Sequence, residues 1–237
     1  MNQTVEYVGK DLEVMSFAVN YHKWILDEFR PFLGKNIVEV GAGTGSFSEL
    51  LLNENPASLT LVEPSQMFEA LQSKFGAIPK ITTFQAIFES VADRIHRAGA
   101  PDSIVYVNVL EHIEDDLGEL RIIHQTLNTK GKVFIFVPAM SWLYGEFDRR
   151  VGHFRRYAKD EIVQKCRESG FKILKVKYFD FFGVLPWYIK YRLLNSSELG
   201  GSAVTLYDKF AVPINKVVES VIKPPIGKNI LLIAEKA

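Results

Sequence analysis

Val38-Glu39-Val40-Gly41-Ala42-Gly43-Thr44-Gly45 is the stretch whose reading decides the fold. Apolar residues 36–40 read as a buried strand, and the apolar spacing after Gly45 reads as a helix over residues 47–52. Glycines between a strand and a helix let the backbone turn tightly and bring a ligand close to it. The dinucleotide pattern wants its third glycine three residues after the second, and Ser46 stands there instead. Glu63 ends the next apolar run, at roughly the 20-residue offset where a carboxylate accepts ribose hydroxyls in nucleotide-binding folds. Strand, glycine loop, helix, strand and acid in that order are far more specific than a lone glycine turn.

Outward from this stretch, short β-type runs alternate with helical ones, the signature of a mostly parallel sheet covered on both faces. Strands are expected at 36–40, 58–62, 81–84, 103–109, 132–137, 171–179 and 229–235. Helices are expected at 17–33, 47–52, 89–98, 117–127 and 159–168, and from a Ser65 cap to about Lys74. Residues 139–157 read as irregular. Residues 180–228 are longer than an ordinary connection and read as a partly helical insertion in a single domain spanning 1–237.

The chain has 237 residues, with 28 Lys+Arg against 28 Asp+Glu, 47% hydrophobic and 24% charged residues. That composition supports a sizeable core. The absence of a basic excess argues against a protein living on nucleic-acid electrostatics. A single cysteine, Cys166, excludes an internal disulfide framework and fits a reducing compartment. The polar start, residues 1–10, lacks a signal-peptide core, and the apolar stretch 179–194 is interrupted by Asp180, Pro186, Lys190 and Arg192. The expectation is a cytoplasmic chain.

With these segments in place, the chain resembles the class I S-adenosylmethionine (SAM)-dependent methyltransferases. Glu39, Gly41, Gly43 and Gly45 match the first family motif, and Glu63 with Pro64-Ser65-Gln66-Met67 matches the second. The resemblance implies a Rossmann-like α/β fold, with a seven-stranded, mostly parallel sheet, an antiparallel last strand and helices on both faces. It implies SAM as cofactor and S-adenosylhomocysteine as product. The SAM-binding set it implies is Glu39, Gly41, Ala42, Gly43, Gly45, Glu63, Pro64, Met67, Ala86, Ile87 and Asn108. The string Asn108-Val109-Leu110-Glu111-His112 falls where the family lines the methyl-transfer pocket. At Leu110-Glu111-His112 the chain is also similar to ubiquinone-type and small-RNA 2′-O-methyltransferases. These use a Glu three residues before the Glu-His pair for a divalent cation. Asn108, a weaker ligand, stands there, and no metal is expected.

Residues 141–157 hold four arginines, one histidine and five aromatics. The ligand crevice of an open α/β sheet lies at strand C-terminal ends, so this loop should border the acceptor. Guanidinium groups are forked donors for phosphate or carboxylate. Arg149, Arg150, Arg155 and Arg156, with Trp142 and Tyr144, are the acceptor-side candidates. His112, His153 and Tyr157 are the catalytic ones, because an oxygen nucleophile calls for a base and imidazole titrates near neutrality. His153-Phe154-Arg155-Arg156-Tyr157, together with Val137-Pro138-Ala139 and Pro224-Pro225-Ile226-Gly227-Lys228, is similar to a bacterial subfamily. That subfamily is associated with cell-surface polysaccharide and polyprenyl-linked sugar assembly.

The expected activity is O-methylation of a sugar hydroxyl on a small phosphorylated or lipid-linked acceptor. C-methylation of a prenyl diphosphate is one alternative, and a non-catalytic SAM-binding accessory protein is another. No nucleic-acid partner is expected. The aromatic run 181–189 in the insertion suits core packing, a homodimer interface or a peripheral membrane contact.

Overall fold

A computed structural model describes residues 18–194, 196 and 201–237. The expected helix start at Phe17, the polar segment 1–10, and residues 195 and 197–200 of the insertion lie outside the described residues. The elements run α1 (Val19–Phe29), β1 (Asn36–Val40), α2 (Ser46–Asn53), β2 (Ser58–Val62), α3 (Phe68–Phe75), β3 (Ile81–Phe84), α4 (Phe88–Gly99) and β4 (Ser103–Val107). They continue with α5 (Asp116–Thr126), β5 (Lys132–Pro138), α6 (Glu146–Arg150), α7 (Lys159–Glu168), β6 (Phe171–Phe179), α8 (Val184–Trp187), α9 (Gly201–Leu206), α10 (Val212–Val221) and β7 (Asn229–Lys236).

The seven strands form one sheet in the order β3-β2-β1-β4-β5-β7-β6. Only β7 runs against its neighbours, antiparallel to both β5 and β6. Strand order reverses between β1 and β4, so the crevice at their C-terminal ends is the switch point where such sheets bind ligands.

Side-chain alternation assigns the two faces. Val38, Val40, Ile104, Tyr106, Val133 and Ile135 pack under α4, α5 and α7. Ile37, Val105, Phe134 and Phe136 pack on the other side, under α1, α2 and α3. Both faces are covered, which is why the central strands are near-continuous apolar runs. Tyr21, Trp24, Ile25 and Phe29 fix α1 to that second face, each worth about 1.5–3 kcal/mol when fully buried.

Three boundaries differ from the expected ones, each for a physical reason. Ser65 does not cap α3, which begins at Phe68. The Ser65 hydroxyl instead accepts from the Met67 amide at 3.2 Å, closing a local turn that delays the helix. β4 stops at Val107 because Asn108 adopts a left-handed conformation, φ 54°. The first helix ends at Phe29, and Arg30–Phe32 tightens into a 3-10 turn with Pro31 near its start. Residues 139–157 are also more ordered than expected. Backbone bonds between Met140 and Tyr157, and between Tyr157 and Pro138, tie the loop at its base, and α6 sits inside it.

The insertion is anchored by carboxylates. Asp180 leaves β6 at φ 64°. It accepts from the Tyr21 hydroxyl (3.1 Å), the Tyr207 hydroxyl, Asn215 Nδ2 (2.7 Å) and the Gly183 amide (3.1 Å). It also pairs with Lys228 Nζ at 2.7 Å. No side chain of α1 caps its own start. Asp208 of the insertion does so, accepting from the Asn20 and Tyr21 amides at 3.0 and 2.8 Å.

Candidate active site

A cavity of about 940 Å³ opens at the C-terminal ends of β1, β2 and β4. Its floor is the glycine loop. Gly41, Gly43 and Gly45 have φ of 70°, 55° and 86°. At Gly41 a Cβ would lie 2.4 Å from Val109 Cγ2, and at Gly45 one would lie 2.2 Å from Phe75 Cε2. Both positions therefore need glycine for space as well as for dihedral freedom. At Gly43 the nearest atom to such a Cβ is Met67 Sδ at 4.0 Å, so the loop presents bare backbone to the cavity.

Glu63 knits this loop together. One carboxylate oxygen accepts from the Gly43 amide and the other from the Ser65 amide, both at 2.8 Å. Glu39, Gly41, Ala42, Gly43, Glu63, Pro64, Met67, Ala86, Ile87 and Asn108 all line the cavity. Gly45 is the one member of the expected set that does not. It turns the chain into α2 instead.

Glu39 is buried and accepts from the Ser48 hydroxyl. Burial raises its pKa from the ordinary 4.5 to about 8, and Glu63 nearby adds to the rise. The folded protein therefore holds a proton that the unfolded chain releases. The resulting stability is fully present below pH 4.5 and is lost as pH climbs through 8. Between pH 6.5 and 8 the ligand-free protein should lose about 1–2 kcal/mol from this group. Thermal melts of Glu39→Gln should show most of that decline removed, and an unchanged decline would assign it elsewhere.

A polar cluster also borders the cavity, through Glu111, His112, His153 and Arg156. His153 Nδ1 lies 2.8 Å from Asp148 Oδ1. Asp148 also accepts from Arg156 Nε at 2.9 Å and the Gly145 amide at 3.0 Å. Burial works to raise the Asp148 pKa, but the His153 and Arg156 bonds outweigh it and hold the group below its ordinary value. An ionised carboxylate only accepts, so His153 carries a proton on Nδ1, and in the neutral ring Nε2 is the nitrogen with the lone pair.

That Nε2 is 3.8 Å from Glu111 Oε1. Glu111 is fully buried, and neither of its oxygens has a hydrogen-bond partner among the described residues. Burial raises its pKa to about 7. Burial, with His153 adding, drives His112 down to about 3, so His112 stays neutral at ordinary pH. Its ring meets that of His153 edge to face at 4.6 Å. Glu111, His112 and His153 each present a ligand atom within 4.8 Å of the others. One carboxylate and two imidazoles can hold a divalent cation.

The structure brings only part of the remaining expected set to the cavity. Tyr157 is buried behind it, donating to Asp116 Oδ2 at 2.8 Å. The four arginines do not converge, because nearer groups claim them. Arg149 pairs with Glu146, Arg155 with Asp116 at 2.7 Å, and Arg150 lies over the Phe147 ring. Arg156 alone lines the cavity, buried between Asp148 and the Trp187 ring. Trp142 is exposed against Tyr188, and Tyr144 donates to the His153 carbonyl at 2.7 Å. Both order the loop from outside.

Sequence reasoning missed much of the half of the cavity away from the glycine loop. Phe147, Val151, Trp187, Tyr191, Val204 and Tyr207 give it an apolar wall, with Lys190 and Lys228 among them. The aromatic run in the insertion carried that signal, but nothing in it showed which rings turn inward.

Comparisons with known proteins agree with this geometry. A family profile described as a methyltransferase domain matches residues 19–176. Among curated proteins, none matches the chain. The fold is similar to that of a SAM-dependent methyltransferase from Archaeoglobus fulgidus, with TM-score 0.63 and 14% identity over 95% of this chain and 98% of that one. It is also similar to the N-methyltransferase NodS from Bradyrhizobium japonicum, solved with S-adenosylhomocysteine, with TM-score 0.59 and 13% identity over 93% and 87%. A chain of a Haloferax volcanii complex between the Trm112 methyltransferase activator and a methyltransferase gives TM-score 0.66 at 11% identity over 97% and 94%. The left-handed glycine loop laced to an acid at the switch point stands within the matched residues, and the chain belongs to the methyltransferase-domain family.

Proposed function

We propose that this enzyme methylates a hydroxyl on a small anionic acceptor, with a sugar on a phosphorylated or lipid-linked carrier as the leading class, and that residues 1–237 act as one domain. The observation that carries the reading is the Asp148–His153 pair facing the cavity with a free Nε2. An alcohol oxygen gains nucleophilicity as its proton leaves, and Nε2 of His153 is placed to take that proton. Asp148 is the positioning residue that fixes the tautomer. His112 is too weak a base for this task and serves as a wall of the site.

SAM supplies a methyl already activated on its sulfonium. The chain's own work is then alignment and exclusion of water. In this reading the Gly41–Gly43 backbone and Glu63 hold the nucleoside and methionine parts, while Met67 and Ile87 flank the adenine. The wall of Phe147, Trp187 and Tyr191 takes the apolar part of the acceptor, and Lys190 faces its charge. Glu63→Ala should weaken S-adenosylhomocysteine binding by about 1–3 kcal/mol, since bonds to a charged acceptor are lost. Calorimetry reads this directly, and unchanged affinity removes Glu63 from the ribose.

The deciding experiment is transfer from methyl-labelled SAM to short prenyl diphosphates, nucleotide sugars, polyprenyl-phosphate sugars and their dephosphorylated counterparts. Label in phosphorylated sugar acceptors alone supports the reading. Label in prenyl diphosphates moves it to C-methylation, for which Glu111 offers the carboxylate. Equal label without phosphate removes the anion from the argument.

The cluster of Glu111, His112 and His153 favours one second reading, a divalent cation that holds the acceptor oxygen. Turnover lost on chelation and restored by a divalent metal supports it. Turnover indifferent to chelator leaves His153 as the base.

A further inference from the structure

The helical insertion carries an apolar stripe on its outer face. From Gly201 to Val221 the chain is continuously helical, through α9, a π-turn at Tyr207–Ala211, and α10. Its protein-facing side carries buried polar groups beside one buried apolar residue, Val212. Asp208 and Glu219 are buried and bonded to backbone amides of Asn20, Tyr21 and Phe181, and Asn215 is buried against Asp180. Its outward positions are apolar. Leu206, Phe210, Ile214, Val217 and Val221 are 62%, 57%, 59%, 67% and 83% exposed. Their spacings of four, four, three and four place them in one stripe. The preceding helix also exposes an apolar stripe, Leu185, Ile189 and Leu193 at spacings of four, while Val184 and Tyr191 are buried on its other side. A surface helix in water turns its apolar stripe to the core. These two bury some apolar residues and also hold a full apolar stripe away from it.

Charge says what covers them. Among the described residues 184–223, every exposed ionisable side chain is a cation: Arg192, Lys209, Lys216 and Lys223. The two acids among the described residues there, Asp208 and Glu219, are buried, and of the four cations Lys216 pairs with Asp27 of α1. The whole chain carries equal numbers of acids and bases, so this one-sided charge is local. A second copy docked across a two-fold axis would set like charges against like. An anionic lipid surface neutralises them and accepts Leu, Phe and Val at its headgroup boundary. No described helix is long and apolar enough to cross a bilayer, so the face would lie on the surface. The same two helices line the catalytic cavity through Pro186, Lys190, Tyr191, Val204 and Tyr207.

We infer that the outer face of residues 184–223 docks this enzyme on an anionic membrane surface, where its cavity mouth meets acceptors carried in the lipid. The purpose of the docking rests on the lipid-linked acceptor proposed above, while the docking itself rests on the two stripes.

Flotation of the full chain tests it, with vesicles of phosphatidylcholine alone and of phosphatidylcholine mixed with phosphatidylglycerol, at low and moderate salt. The chain should float with the mixed vesicles and far less with phosphatidylcholine, and salt should weaken the binding without abolishing it. The double change Phe210→Glu and Val217→Glu, on exposed positions, should lower the partition coefficient at least about tenfold. It should leave S-adenosylhomocysteine affinity and the melting temperature as they were. Lys209→Glu with Lys223→Glu should reduce binding to the mixed vesicles only.

No flotation with either lipid overturns the inference, as does a Phe210/Val217 double variant that floats like the parent. Binding indifferent to phosphatidylglycerol overturns the anionic surface. A concentration-dependent dimer that the Phe210/Val217 change dissolves, without vesicle binding, reassigns the face to a second copy. No arm uses an acceptor, so failure here leaves the methyl-transfer reading standing, and failure of the acceptor panel leaves this one standing.

Discussion

His153→Ala should lower kcat by about two to four orders of magnitude, the usual worth of a positioned general base. Affinity for S-adenosylhomocysteine should stay within about threefold, because His153 bonds to Asp148 while Glu63 and the glycine loop bond to each other. The physical basis is the ionised Asp148, which holds a His153 proton on Nδ1 and leaves Nε2, on a ring that lines the cavity, as the nitrogen for proton transfer. Asp148→Asn separates this role from a structural one. An amide can offer its NH₂ to Nδ1 and turn the ring to the other tautomer, closing Nε2 as an acceptor. A large kcat loss with KM and melting temperature little changed would be the signature of that positioning. Loss of SAM affinity in step with kcat would instead mean that the loop collapses when the pair is broken.

Asp180→Ala should destabilise the protein by about 3–5 kcal/mol, the cost of leaving a buried partner charge uncompensated. Lys228, Tyr21, Tyr207, Asn215 and the Gly183 amide all turn to this one carboxylate. Alanine would also sit at φ 64°, a region that Asp and Asn tolerate better. Asp180→Asn keeps the turn and some of the bonds and should recover part of the loss. Denaturant unfolding of the two variants reads both effects. A change within about 0.5 kcal/mol for alanine, the range of an ordinary surface site, would show that the insertion is not anchored there.

The sheet and the glycine-loop half of the cavity were legible in the sequence because both are local. Strand alternation, a glycine loop that only glycine can fold, and an acid at the end of the next strand are decided by neighbours in the chain. Boundaries failed where a side chain bonded its own backbone, as Ser65 does ahead of α3. They also failed where an asparagine left the strand region early, as Asn108 does after β4.

The other half failed for a different reason. Four arginines in one loop read as a clamp, yet which acid each meets depends on elements distant in the chain. Arg155 finds Asp116 on α5, and Arg156 finds the buried Asp148 beside the Trp187 ring. Those pairings exist only once the loop is tied at its base.

The sequence by itself determined a mostly parallel sheet with a glycine loop and an acid at its switch point, since backbone dihedrals and strand periodicity are properties of adjacent residues. Only the tertiary structure decided which histidine keeps a free nitrogen, which arginine reaches the cavity and which face of the insertion looks outward. Burial and partners far apart in the chain set all three: Asp148 orients His153, desolvation silences His112, and buried Asp208, Asn215 and Glu219 turn the apolar stripe to the outside.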